Sequence, residues 1–124
     1  MIFVFGSNLS GRHGKGAART ARLEHGAIYG QAEGLQGNSY ALPTCGHRFE
    51  PLPLNMIAGY IERFARIVRD RPQLQFQITR VGCGLGGYKD DDIAPMFVGA
   101  PSNCHFDEKW RHWLQNTVPY WGTF

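Results

Sequence analysis

RVGCGLGGYKDDDIAPMF, residues 80–97, places four glycines between Gly82 and Gly87, directly after a run that is typical of a β-strand. That run, LQFQITRVG at residues 74–82, carries its apolar side chains at alternating positions, which predicts a strand. Three aspartates follow at residues 90–92, and the helix dipole favours acidic side chains in the first turn of a helix. The stretch therefore predicts a strand, a glycine-rich turn and the start of a short helix, in that order.

A second glycine-rich loop, GSNLSGRHGKG at residues 6–16, follows the apolar run IFVF at residues 2–5. The apolar run predicts a buried strand, and residues 17–25 predict a helix that Gly26 terminates. In open α/β sheets, ligands bind outside the carboxyl ends of the strands. Because both glycine-rich loops follow strands, we expect them to meet at one edge of the sheet and to line one cleft.

The clearest helix covers residues 55–70, because its apolar side chains repeat at helical spacing on one face. The members of that stripe are Ile57, Ile61, Phe64 and Val68. Weaker patterns predict a short extended piece at 27–29, a strand at 39–44 and a helix at 107–115 with Asp107 as its N-cap. Strands that alternate with helices predict an α/β protein, which we expect to be a three-layer α/β/α sandwich with a mixed, largely parallel sheet.

Length and composition predict a single domain over residues 1–124. Hydrophobic residues make up 43% of the chain, and no apolar run approaches the roughly 20 residues of a membrane helix. The three cysteines are widely spaced, which argues against a disulfide framework and favours a reducing, cytoplasmic setting. The N-terminus starts with a predicted strand, so we expect neither a secretion signal nor an association with membranes.

The basic residues are skewed towards arginine, with ten arginines against three lysines. Guanidinium groups suit phosphate and carboxylate oxygens, although most surface arginines merely solvate helix faces. The net charge of +3 is too small for a protein that coats DNA. Charge alone therefore predicts no particular partner.

The two glycine-rich loops predict a cradle for a phosphate or diphosphate group. Glycine exposes backbone N–H groups to an anion, and a following helix N-terminus adds partial positive charge. The loop at 6–16 has Walker-like glycine spacing, but Arg12 and His13 stand where Lys and Ser or Thr are needed, so a P-loop NTPase is not expected. Gly82-x-Gly84-x-x-Gly87 matches the dinucleotide fingerprint as a string, but too little chain follows for a Rossmann fold.

Other interpretations of these residues stay open at the level of sequence. The glycine-rich loops could serve only turn geometry in a structural or partner-binding module. Arginines together with the tryptophans between residues 110 and 121 could bind single-stranded nucleic acid, which is the main alternative function. Cysteine and histidine side chains could hold zinc or form a nucleophile and base, but their spacing matches no common pattern; the side chains concerned are Cys45, His47, Cys83, Cys104 and His105.

Three segments of the chain resemble the macrodomain superfamily, whose members bind ADP-ribose: VFGSNLSGRHGKGAA, GNSYALPT and ITRVGCGLGGYKDDDIAPMF. The nearest similarity is to the terminal ADP-ribose glycohydrolase branch and to small bacterial and phage proteins. The resemblance implies a reduced macrodomain-like fold that binds ADP-ribose or a related nucleotide, free or attached to a protein or nucleic acid, with no cofactor and no metal. The implied ligand-binding residues are Asn8, Gly14, Lys15, Gly16, Ala17, Gly82, Cys83, Gly84, Leu85, Gly86, Gly87 and Tyr88.

The chain departs from that branch at the two positions that carry its chemistry. Cys45 stands where the branch has a catalytic lysine, and Gly86 stands where it has an aspartate. The resemblance therefore leaves hydrolase activity open. If the chain is hydrolytic, we expect Asn8 to position the ribose, and Asp90 or a bound water to transfer protons.

Overall fold

The computed structural model describes residues 1–124 and contains six strands and four helices. The strands are β1 (Ile2–Asn8), β2 (Gly34–Gln36), β3 (Ser39–Cys45), β4 (Phe76–Ile78), β5 (Cys104–Asp107) and β6 (Tyr120–Gly122). The helices are α1 (Gly16–Glu24), α2 (Leu54–Arg69), α3 (Asp90–Ile93) and α4 (Arg111–Leu114), with 3₁₀ turns at Ala94–Phe97, Glu108–Trp110 and Gln115–Thr117.

The strands form one sheet in the order β2-β3-β1-β4-β5-β6. Only β2 runs antiparallel to its neighbour, and all other pairs are parallel. β1 and β4 lie side by side near the centre, so the glycine-rich loops that follow them leave the sheet at the same edge. The predicted α/β class with a mixed, largely parallel sheet is confirmed.

The two faces of the sheet are covered by different elements, because side chains alternate along each strand. On β1, Val4 belongs to the large core that includes Ile57 of α2, whereas Phe3 packs in a smaller cluster with Ala18 and Ala21 of α1. Helices therefore cover both faces, as a sandwich requires.

The long helix α2 follows its predicted stripe closely. Ile57, Ile61, Phe64 and Val68 are all buried, the least buried of them at 5% exposure. At the end of the helix the buried Asn103 side chain donates from Nδ2 to the carbonyl oxygens of Val68, Arg71 and Leu74, at 3.4, 3.3 and 3.0 Å. The Val68 and Arg71 oxygens also accept the backbone N–H groups of Arg71 and Leu74, at 3.1 and 3.0 Å. The Asn103 side chain therefore adds a second donor to each of these two oxygens and ties the segment after α2 to the helix end.

Two predicted strand boundaries are wrong. The strand predicted at 74–82 is reduced to Phe76–Ile78, because the backbone turns away when the Val81 N–H donates to the Thr79 carbonyl oxygen at 2.8 Å. No strand forms at 27–29; the extended piece lies instead at Gly34–Gln36, where it pairs with β3.

The predicted helix at 107–115 is also wrong in its first residues. Asp107 ends strand β5, and the helical part is broken into the turn Glu108–Trp110 and the short α4. The Asp107 carboxylate still accepts the Lys109 N–H at 2.9 Å, so its capping role is observed on a shorter element. The apolar pattern of this segment predicts that Trp110, Trp113 and Leu114 form its buried side; Trp110 and Leu114 are buried, whereas Trp113 is only half-buried.

None of the helices is long and apolar enough to cross a membrane.

Candidate functional site

A cleft of about 750 Å³ opens where the loops after β1 and β4 meet. This volume lies in the range of roughly 300–1,000 Å³ that small-molecule sites occupy. Both glycine-rich loops contribute to its lining, so the expected juxtaposition is observed. The predicted residues that line the cleft are Asn8, Gly14, Lys15, Gly16, Ala17, Gly82, Gly84, Leu85 and Gly86.

Four predicted residues do not line the cleft: Cys83, Gly87, Tyr88 and Asp90. The hydrogen bonds of the turn explain the first three. The N–H groups of Cys83, Gly87 and Tyr88 donate to the carbonyl oxygens of Arg80, Gly84 and Gly82, at 3.1, 3.1 and 2.9 Å. These bonds close the turn, so the three amides serve its structure.

The remaining amides of this turn are unpartnered. The N–H groups of Gly82, Gly84, Leu85 and Gly86 have no acceptor within the protein, and these same residues line the cleft. Successive free amides in a turn form a concave site that is suited to an anion. Some amides of the turn therefore close the turn itself, and the others are free to bind a group in the cleft.

The opposite wall is the N-terminus of α1. The N–H groups of residues 14–18 have no acceptor within the protein, and all five residues line the cleft. Lys15, the N-cap residue, makes no capping hydrogen bond with its side chain, and the first turn holds no acidic residue. The partial positive charge of this helix end thus faces the cleft without a neutralising group.

Every charged side chain in the lining is basic. Arg12, Lys15 and Arg80 contribute to the cleft, and no aspartate or glutamate does. Arg80 was not among the residues predicted to bind, although its position at the end of the predicted strand was a usable signal. Cations and free amides on both walls make the cleft attractive to an anionic ligand.

Asp90 lies behind the second loop, and its carboxylate is already occupied. It accepts from Nη1 of Arg80 at 3.1 and 2.9 Å and from Nε1 of Trp110 at 2.8 Å. The predicted role of Asp90 in proton transfer receives no support from this position. Its contacts suit a group that orients the Arg80 side chain.

Asn8 lines the cleft at the end of β1, and its side chain pairs with the backbone of Arg12. Nδ2 donates to the Arg12 carbonyl oxygen at 2.9 Å, and Oδ1 accepts the Arg12 N–H at 3.0 Å. A primary amide has two N–H groups and two lone pairs, so one of each remains for a ligand. Asn8 therefore shapes the first loop and can still contact a hydroxyl group in the cleft.

The first loop is also anchored by His13, which is fully buried outside the cleft lining. Its Nε2 lies 3.0 Å from the Gln31 carbonyl oxygen, and the ring packs edge-on against Phe5. Because a carbonyl oxygen only accepts, Nε2 carries the proton. His13, which stands where a P-loop needs a hydroxyl group, thus packs in the interior beside Phe5.

The two positions that depart from the glycohydrolase branch are now located. A Cβ atom at Gly86 would lie 2.7 Å from the Gly82 carbonyl oxygen, so the turn excludes any side chain there.

Cys45 lines the cleft, and its burial, reinforced by the nearby Glu50 carboxylate, raises the pKa of its thiol above the usual 9.0. A protonated thiol is a poor nucleophile at neutral pH.

The candidate zinc ligands do not assemble. Cys45 ends β3, Cys83 lies in the second glycine-rich turn, and Cys104 is buried in β5. No group of three or more potential metal ligands occurs in the structure.

Sequence reasoning missed the aromatic side chains of the cleft, which are Tyr29, Phe49 and Phe124. Each of them is about half exposed, at 59, 51 and 52% respectively. No local pattern marks these positions, because loops from three different parts of the chain bring them together. Exposed aromatic rings beside an amide-lined pocket are suited to stacking on a planar ligand group.

In comparisons with protein-family models, curated proteins and solved structures, nothing matches this chain. The function is therefore inferred from the cleft and from the resemblance in its motifs.

Proposed function

We propose that the protein binds ADP-ribose or a closely related nucleoside diphosphate, with the diphosphate held between the two glycine-rich loops. The observation that carries the proposal is the pair of facing walls with unpartnered amides, residues 14–18 on one side and Gly82 with 84–86 on the other. Each wall suits one phosphate group, and adjacent parallel strands hold the two walls close together. Arg12, Lys15 and Arg80 supply compensating charge.

The resemblance to macrodomains supports ADP-ribose over other diphosphates. Its motifs coincide with the two loops that form the cleft, and Asn8 keeps a free N–H and a lone pair for a ribose hydroxyl. The groups that the lining provides are amides, cations, hydroxyls and one thiol of raised pKa, which are suited to binding. We therefore propose a binding protein for ADP-ribose or ADP-ribosylated molecules.

The positions of the arginines and tryptophans favour this function over the binding of single-stranded nucleic acid. Four arginines pair with carboxylates, two of them on α2 and two elsewhere in the chain: Arg63, Arg66, Arg80 and Arg111. Trp110 is fully buried, and the indoles of Trp113 and Trp121 donate to Asp91 and to the Ile78 carbonyl oxygen. Stacking on bases requires a continuous basic groove with free aromatic faces, which these contacts do not favour.

The direct test is isothermal titration of the full chain with ADP-ribose. We expect saturable binding, and the absence of heat at millimolar ligand would overturn the proposal. Gly84→Leu is the most informative variant, because a Cβ atom at this position meets nothing within 4 Å and the leucine would project into open space at the cleft. We expect this variant to fold normally and to lose binding.

Gly59→Leu is the matched control, because Gly59 lies on the exposed side of α2 and is equally free of contacts. Wild-type affinity in Gly84→Leu would place the site elsewhere. An assay for the release of ADP-ribose from a modified protein distinguishes a binding protein from a hydrolase. If ADP-ribose is released with turnover, the protein is a hydrolase and the proposal of a pure binding protein is overturned.

A further inference from the structure

Arg22 of α1 differs from the other arginines in the group to which its guanidinium is bonded. Four of the ten arginines pair with carboxylates, and Arg22 is not one of them. Its Nε donates to the His13 carbonyl oxygen at 3.0 Å, and no other arginine side chain is bonded to the backbone. Because a carbonyl group has no net charge, this bond orients the guanidinium and leaves its positive charge uncompensated.

A second neutral group contacts the same guanidinium. Its central carbon lies over the Tyr29 ring, 6.0 Å from the centroid, which is the distance at which an aromatic face attracts a cation. Nη1 and Nη2 of Arg22 have no partner in the protein, and the residue is exposed. A guanidinium group has five N–H donors, so four of them remain for a ligand.

The two contacts of Arg22 place its guanidinium at the rim of the cleft. Tyr29 belongs to the lining, and His13 stands in the first loop between the lining residues Arg12 and Gly14. Side chains of an α-helix point back towards its N-terminus, so a residue in the last turn of α1 can reach the loop before the helix. Arg22 is not itself part of the lining, so it adjoins the space between the glycine-rich loops.

The surroundings of Arg22 on α1 are basic. Lys15 and Arg19 precede it by seven and three positions, a spacing that places the three side chains on one side of the helix. Both are exposed, and neither forms an ion pair. Glu24 is the only acidic residue of α1, and side chains two positions apart do not face each other. An anion beside Arg22 therefore meets cations on this side of the helix.

We propose that Arg22 binds a further phosphate group of the ligand, beyond the diphosphate that the two glycine-rich loops take. This inference rests on the proposed function, because the diphosphate must lie in the cleft for another phosphate to reach the rim. The two Nη groups of a guanidinium donate to two oxygens of one phosphate, a geometry that arginine offers and lysine does not. The ligand class is a nucleoside diphosphate with a third phosphate, either on a ribose hydroxyl or as an extension of the phosphate chain.

The test is titration of the full chain, in buffer without divalent cations, with two pairs of probes that differ by one phosphate group. The first pair is ADP-ribose and ADP-ribose 2′-phosphate, and the second pair is ADP and ATP. We expect the third phosphate to raise the affinity of the wild type by about tenfold or more in at least one pair, as for a charge-assisted bidentate contact. A gain in the first pair indicates a phosphate on the ribose, and a gain in the second indicates a longer phosphate chain.

Arg22→Gln removes the charge and the forked donors. We expect it to reduce the gain from the third phosphate to the roughly two- to threefold effect of exposed charges. Any loosening of the first loop weakens both probes of a pair, so the ratio of their affinities isolates the contact with the third phosphate. Arg22→Lys, which keeps the charge without the fork, should retain only part of the gain.

Arg19→Gln is the matched control, because Arg19 is an exposed arginine on the same side of α1 and its guanidinium has no partner. This variant loses the same charge but keeps the oriented guanidinium, so it should show the gain of the wild type.

Three outcomes overturn the inference. The third phosphate gives no gain in either pair, the gain persists in Arg22→Gln, or Arg19→Gln loses as much of the gain as Arg22→Gln does. If the wild type binds ADP-ribose and one of these outcomes is found, only the phosphate site at Arg22 fails. If the wild type does not bind ADP-ribose, the proposed function fails as well.

Discussion

Nη1 of Arg80 lies 3.1 and 2.9 Å from the two carboxylate oxygens of Asp90, and only the arginine lines the cleft. The indole of Trp110 donates to the same carboxylate, so the acid is fixed in place from a second direction. Asp90, which lies outside the cleft, thus holds the guanidinium group of Arg80, which lines it. An aspartate that follows a glycine-rich turn can therefore position a cation in the cleft without lining the cleft itself.

The first prediction concerns this pair. Arg80→Gln removes the cation, and we expect the affinity for ADP-ribose to fall by roughly 10- to 100-fold, as for the loss of a charge-assisted hydrogen bond. Asp90→Asn keeps the shape but weakens the hold on Arg80, so we expect a smaller loss. Titration calorimetry measures both. Arg66→Gln, which breaks an exposed ion pair on α2, is the control and should bind as the wild type does.

The second prediction contrasts two glycines of the same turn. Gly86→Ala places a Cβ atom 2.7 Å from the Gly82 carbonyl oxygen, whereas Gly84→Ala meets nothing. We expect Gly86→Ala to lower the free energy of unfolding by about 1–3 kcal/mol, the usual cost of overpacking, and Gly84→Ala to change it by less than about 0.5 kcal/mol. Urea denaturation measures the difference, and equal stabilities would mean that the turn is not closed as described.

The third prediction concerns the thiol in the cleft. Burial raises the pKa of Cys45, so at pH 7 we expect iodoacetamide to alkylate it more slowly than a free cysteine, with a rate that rises through pH 9 and above. Bound ADP-ribose should slow the reaction further, because Cys45 lines the cleft. Mass spectrometry of the modified peptide follows the rate. Fast alkylation at pH 7 would contradict the raised pKa, and a ligand that gives no protection would place the binding site elsewhere.

The fourth prediction concerns stability at alkaline pH. Burial raises the pKa of Cys104 from 9.0 to about 12 and that of Tyr40 from 10.0 to about 12. The native protein therefore holds these protons more tightly than the unfolded chain, and stability falls as the pH rises. The contribution of Cys104 is complete below pH 9 and is lost between pH 9 and about 12, and that of Tyr40 is lost between pH 10 and about 12.

Each such group lowers the free energy of unfolding by about 1.4 kcal/mol per pH unit within its window. Denaturant titrations at pH 8, 9 and 10 measure the slope. Replacing Cys104 with alanine should make the loss above pH 9 shallower, whatever its effect at pH 8. A slope that does not change in this variant would show that Cys104 does not contribute.

The fifth prediction tests the buried amide that closes α2. Asn103→Ala removes the donors to the carbonyl oxygens of Val68, Arg71 and Leu74, and we expect a loss of about 2 kcal/mol in the free energy of unfolding. Asn116→Ala, at an exposed position, is the control and should stay within about 0.5 kcal/mol of the wild type. Binding of ADP-ribose should persist in both variants, since neither residue lines the cleft.

Much of the fold could be predicted from sequence where a segment carries its own signal. The stripe of α2 and the apolar run of β1 are local patterns, and both elements are found where expected. β4, β5 and β6 contain only three or four residues each, and β5 and β6 were not predicted. Strands this short show no recognisable alternation of apolar and polar residues. They form because neighbouring strands from distant parts of the chain supply hydrogen-bond partners.

The candidate site divides in the same way. The sequence by itself determined that two glycine-rich loops follow strands, and the parallel sheet then brings them to one edge. Only the tertiary structure decided that the amides of Gly82, Gly84, Leu85 and Gly86 stay free while their neighbours close the turn. It also decided that Phe124 reaches the cleft, through a bond to Asp107 seventeen positions earlier. The physical reason is that glycine content is a local property, whereas the partner that each polar group finds depends on contacts distant in sequence.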